Sequence, residues 1–213
     1  MKTDALVDFL ATGAEAVQRG QRARRYLAGV CAGFLAALLL AVGVLGLHPR
    51  LLQEAFLPMF WVRETFCVAL GAAALAGVAR LSRPGARLGV VPFALGAPVL
   101  LMWVLAAFSL IGAAPQQRAD LILGQTANVC PLLIALVSVP LFFAMIWIMR
   151  GFAPTRLRLA GALGGAAAGA LGAVAYSLHC PELAAPFLGI WYLLGMLIPT
   201  AVGAVMGPRL LRW

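Results

Sequence analysis

VCPLLIALVSVPLFFAMIWIM, residues 129–149, runs without a charged side chain until Arg150 closes it. A helix rises about 1.5 Å per residue, so about 20 mostly apolar residues cross roughly 30 Å of hydrocarbon. This stretch has that length and that composition, and it reads as a transmembrane helix. Working outward, apolar runs of similar length occupy residues 26–47, 61–81, 88–111, 159–178 and 188–207. The joints between runs carry Pro, Gly or charge: His48-Pro49-Arg50, Ser82-Arg83-Pro84-Gly85, Pro115-Gln116-Gln117, Gly151-Phe152-Ala153-Pro154 and Pro181-Glu182. The expected fold is all-α, a polytopic membrane bundle of six transmembrane helices.

Composition supports this. The 213 residues are 63% hydrophobic and 11% charged, against the roughly 25% charge of a soluble domain. Mean hydropathy is +0.99. A net charge of +9 could suggest nucleic acid, but the basic residues punctuate the apolar runs instead of clustering with aromatic platforms. No direct nucleic-acid partner is expected, and lipid is the main solvent of the chain.

Orientation follows from where Lys and Arg fall. Alternating the runs across a bilayer leaves only Arg50, Arg63 and Arg118 of the 16 Lys and Arg residues on one side. That side also holds Glu54, Glu64, Asp120 and Glu182. Both termini are therefore expected in the cytoplasm. Tyr26 and Trp147 would mark the inner interface, and Trp61, Trp191 and Tyr192 the outer one.

Two parts are expected: a cytoplasmic segment, 1–25, and a transmembrane domain, 26–213. In the first, Thr3 and Asp4 can cap a helix on which Leu6, Phe9, Leu10, Gly13 and Val17 share one face. So short a helix builds no core alone, and its stripe needs lipid or a partner protein. Arg19, Arg22, Arg24 and Arg25 would hold its end against anionic lipid.

Within the bundle, Gly161, Gly165 and Gly169 recur every fourth residue and make a stripe where another backbone can come close. An interface inside the bundle is the expected use; a homo-oligomer built on the stripe is the sharper alternative. Pro92, Pro98, Pro140 and Pro199 each delete a backbone donor and shape their helices.

An enzyme or coupled transporter needs ionisable groups near the midplane, whereas the charges here sit at span ends. Arg63 and Glu64 are adjacent, point to different sides of a helix, and are not an obvious ion pair. There is no carboxylate pair, Ser/His/Asp set or phosphate-cradling loop, so no enzyme and no required cofactor are expected. Cys31 and Cys67, among apolar neighbours, read as small buried hydrophobes. Cys130 and Cys180 differ: the first opens the fourth span, the second follows the fifth, and topology brings both to one face. Each precedes a proline, and His179 and Glu182 flank the second. Cys130, Cys180 and His179 could bind a soft or borderline metal ion; the two thiols could instead form a disulfide, or be unrelated.

The C-terminal half resembles the NrsF-type membrane-bound anti-sigma factors. The resemblance is carried by Cys130, by Trp147, Arg150 and Ala153-Pro154, and by Tyr176-Ser177-Leu178-His179-Cys180-Pro181-Glu182. Trp191-Tyr192, Gly195, Pro199, Gly203, Gly207 and Leu211-Arg212-Trp213 continue it, as does the opening Met1-Lys2-Thr3-Asp4 with Leu6. The first three spans match mainly in hydropathy. The resemblance implies a multi-pass protein of the bacterial inner membrane that sequesters an extracytoplasmic-function (ECF) sigma factor. It places sigma-factor binding in the N-terminal segment, here residues 2–25 with Leu6, Phe9, Leu10 and Val17. It links Cys130 and Cys180 to a heavy-metal or oxidative stress signal, with a transient heavy-metal ion as the one added group. The residues alone leave two other classes open: a small transporter or channel for a metal ion, entered at the same cysteines, and a structural subunit assembled through the Gly161 stripe.

Overall fold

The computed structural model describes residues 19–83, 85–152 and 154–212. Leu6, Phe9, Leu10 and Val17 lie outside the described residues. All regular elements among the described residues are helical. Helix α1, Arg19–Leu40, runs on through a π-helical turn, Ala41–Leu45, and stops at Gly46, whose φ of 80° a side chain would resist. After it come α2, Leu51–Glu54; α3, Pro58–Leu81; α4, Val91–Gly112; and α5, Pro115–Leu123. The chain closes with α6, Cys130–Arg150; α7, Leu157–Tyr176; and the pair α8, Ala185–Phe187, and α9, Leu193–Leu210, joined by a π-helical turn at Leu188–Tyr192.

Six of these stretches are long and apolar enough to cross a membrane, counting Ala185–Leu210 as one. Their ends fall within a few residues of the apolar runs, because charge and proline stop both. The connection at Pro115-Gln116-Gln117 is the exception. It is not a plain turn but begins α5, with Pro115 in the first turn, where its missing N–H costs nothing.

Helix α7 is the hub, packed against α3, α6 and α9. Its glycines make this possible. A Cβ on Gly161, Gly165 or Gly169 would strike the backbone of Gly203, Pro199 or Met196 in α9. On another face, a Cβ at Gly172 would come within 2.7 Å of Ser138 Cβ in α6. The stripe is thus used up inside the chain. Pro98, Pro140 and Pro199 lie inside continuous helices, while Pro92 sits in the first turn of α4.

Helix α4 is the peripheral one, with Phe93, Leu101, Phe108 and Ile111 each at least 70% exposed. So much contiguous apolar surface is what a lipid-facing helix presents. Cys31 corrects one expectation: it is exposed, not buried, whereas Cys67 is fully buried. α1 packs mainly on α6, and Cys31 falls outside that contact.

The helices alternate in direction, so α1 begins and α9 ends at the same end of the bundle. There Arg25 Nη2 donates to Trp147 O (3.2 Å), and Arg150 Nε to Leu210 O (2.7 Å). Both cysteines of interest lie at the opposite end.

Candidate functional site: a buried thiol pair and its arginine

Cys130 is the first residue of α6 and Pro131 the second. The Cys130 amide already donates to Thr126 O at 2.8 Å, so the helix grows out of the preceding turn. Cys180 lies in the irregular segment between α7 and α8, where its amide donates back to Tyr176 O at 3.3 Å. Both thiols are free and fully buried, in one core with Cys67, Tyr176, Phe187 and Tyr192. They lie in the same core cluster, close enough for each to shift the ionisation of the other. Tyr176 and Tyr192 flank the pair with ring centroids 5.9 Å apart.

The environment favours a thiolate at Cys180. The neighbouring Cys130 thiol is the largest influence. The Glu182 amide, the Tyr192 hydroxyl and the Arg63 charge work in the same direction, against burial, and Cys180 ionises below the ordinary thiol range. The Tyr192 hydroxyl is buried with no hydrogen-bond partner among the described residues.

His179 and Glu182 adjoin Cys180 in sequence but turn away from the sulfur. His179 Nδ1 donates to Gly46 O (3.2 Å), with its ring 6.0 Å from that of Tyr176. Glu182 Oε1 accepts from the Gln125 amide at 2.7 Å, just past α5. Among the described residues, no three His, Cys, Asp or Glu side chains converge as a metal site. What the fold brings together is the thiol pair alone.

The residue that sequence reasoning missed is Arg63. Set among the outer-edge charges by its position, it is instead wholly buried in α3. Its guanidinium donates to Cys180 O (2.9 Å), Ser177 O (3.1 Å) and Glu182 O (3.2 Å), and stacks over Phe60 at 5.0 Å. Arg63 and Glu64, not an obvious ion pair in the sequence, do pair, with Nε 3.2 Å from Glu64 Oε1. Adjacent residues leave a helix about 100° apart, but both side chains are long, and a buried cation is costly without an acceptor. Tyr192 is likewise no interface anchor: it is fully buried against the thiols. The available signal was Arg63 itself, an arginine inside an apolar run.

This is a bundle with six helices long and apolar enough to span a membrane, and its distinctive chemistry is a thiol pair tied down by a buried arginine. Its relatives are regulators. Residues 10–213 match the NrsF family, described as negative regulator of sigma F. The chain is 52% identical over 213 residues, the full length of both, to a protein of Azospira oryzae named probable anti-sigma-F factor NrsF. It is 38% identical over 215 residues, again the full length of both, to the anti-sigma-F factor NrsF of Caulobacter vibrioides. No solved structure matches. The chain belongs to the NrsF family, and its role is regulatory, not catalytic.

Proposed function

We propose that this protein is an inner-membrane anti-sigma factor. It holds an ECF sigma factor at the cytoplasmic face and releases it when a heavy metal or an oxidant acts on Cys130 and Cys180. The observation that carries this reading is membership, over residues 10–213, in a family of negative regulators of sigma F. The relatives' names supply the partner, and the imbalance of Lys and Arg supplies the side. With the arginine-rich end inward, the segment bearing Leu6, Phe9, Leu10 and Val17 meets the sigma factor, and the thiol pair faces the oxidising compartment.

Two thiols in contact suit either stimulus. A soft ion prefers thiolates, and an oxidant needs a second sulfur close to the first. His179 and Glu182 would join a metal only by leaving Gly46 and Gln125. Moving the population from mostly bound to mostly released takes roughly 5 kcal/mol of preference for the released state, which a metal–thiolate site can supply. A transporter would need polar groups along its path. The apolar groove between α3 and α4, about 660 Å³, has a wall lined by Trp61, Phe66, Pro98 and Phe108, with Thr65 its one hydroxyl.

The test is co-purification. Membranes solubilised in mild detergent should yield the sigma factor with this chain, and less of it after exposure of the cells to cadmium or diamide. A chain that never brings down a sigma factor at normal expression would end this reading in favour of a transporter or structural subunit.

A further inference from the structure

The last carbonyls of a helix have no partner within it, and at membrane depth they must find one. α7 ends at Tyr176, and the carbonyls that follow are claimed from two other parts of the chain. The His48 amide donates to Leu178 O at 2.9 Å. Arg63 takes the carbonyls of Ser177, Cys180 and Glu182 with one planar fork. No ammonium could match that geometry. Cys180 is therefore held from two directions, its carbonyl by α3 and its side chain by the core it shares with Cys130 at the head of α6.

Helix α3 continues to the other end of the bundle. Near that end, Leu75 O accepts the Tyr26 hydroxyl of α1 at 2.8 Å. The bond bridges the two helices beside a cavity of about 830 Å³ lined by Ala23, Tyr26, Leu27, Ala79, Ser82 and Arg83. α1 is the helix into which the N-terminal segment leads.

We infer that Arg63 is a positioning residue: it holds Cys180 against Cys130 and ties the pair to α3, which passes any displacement to α1 through Tyr26. A shift of the Cys180 segment strips a buried guanidinium of its three carbonyl acceptors unless α3 follows, and with Glu64 alone left to it that is the costlier course. For signalling, Arg63 matters only if the two cysteines sense the stimulus as proposed above. For the geometry of the pair it matters regardless.

Two readouts on the full-length protein in membranes separate these halves. Dibromobimane, a fluorogenic reagent that links two neighbouring thiols, is applied to a Cys31→Ser, Cys67→Ser background. Arg63→Gln should slow the Cys130–Cys180 link by about tenfold, the scale of losing a hydrogen bond to a charged group, and Arg63→Lys should fall between. A reporter of sigma-factor activity then follows cadmium exposure. Tyr26→Phe, which removes one hydroxyl, should leave the crosslinking rate as it was but cut the induced response by about fivefold, the worth of one hydrogen bond. Wild-type crosslinking in Arg63→Gln, or in Arg63→Lys should the first variant not accumulate, overturns the positioning role. Full induction in Tyr26→Phe overturns the route through α1. If the wild type ignores cadmium altogether, the sensing reading falls and takes the relay with it, while the crosslinking rates still decide the role of Arg63.

Discussion

Among the described glycines Gly165 leaves the least room for a side chain, and Gly165→Ala tests whether α7 is the hub. An added Cβ would lie 2.6 Å from the carbonyl carbon of Pro199 and 2.9 Å from Thr200 Cα, and would overlap the Pro199 oxygen. Carbon pairs rest at about 3.5–4.0 Å, so α7 and α9 must part by roughly 1 Å along this seam. Every obstructing atom is backbone, and no side chain can rotate aside. Overpacking costs about 1–3 kcal/mol, and an unyielding obstruction belongs at the upper end. A loss of about 3 kcal/mol lowers the folding equilibrium on the order of 100-fold. Gly96→Ala in α4 is the matched control, because a Cβ there meets nothing within 4 Å. Titrating detergent-solubilised protein with SDS and following helix content should show Gly165→Ala unfolding well before both wild type and Gly96→Ala. Equal midpoints for the two alanine variants would refute the seam.

Three further outcomes are expected. Cys130→Ser and Cys180→Ser should each abolish induction by cadmium or diamide, with the double variant no worse than either; a full response in the double variant would remove the sensor. Replacing Leu6 and Leu10 with Asp should raise target transcription at unchanged membrane level, and if repression persists, the sigma factor binds elsewhere, for instance on the loops at 80–87 or 150–158. Reporter fusions after Arg25 and at Trp213 should read cytoplasmic and those at Gln116 and Pro186 external; one clean reversal would undo the shared outward face of the two cysteines.

The six long helices were legible because crossing a bilayer demands a length and a composition together, and each apolar run satisfies both. The glycine stripe was legible for a related reason: Gly161, Gly165 and Gly169 fit only where a backbone approaches, and α9 supplies Gly203 and Pro199 at that contact. What the runs could not give was their order around α7. Hydropathy is nearly alike in α4 and α6, yet the first is peripheral and the second half buried. In lipid an apolar side chain is as well placed outside as inside, so burial leaves little trace in residue type. Cys31 was misjudged for that reason, and the helix at Pro115–Leu123 was missed because it is too short and polar to stand out.

The site was half legible. Charge counting and topology put Cys130 and Cys180 at one end, but two thiols at one end could be far apart; their contact depends on how the segment after Tyr176 folds back. Arg63 decides that fold, and its principal partners are carbonyl oxygens 114 to 119 residues away, which every residue possesses. No side-chain pattern can announce such partners. The physics still narrows the search. An arginine within an apolar run needs several acceptors, and Glu64 accounts for one N–H of the five a guanidinium carries. The rest must come from carbonyls left free by a helix, and these gather where helices end. At the end of the bundle where α3 begins, α1, α4 and α7 terminate, and α7 alone runs from its last turn straight into a cysteine. The buried arginine thus ties α3 to the Cys180 segment, and variants at Arg63 become as informative about the thiol pair as variants of the thiols themselves.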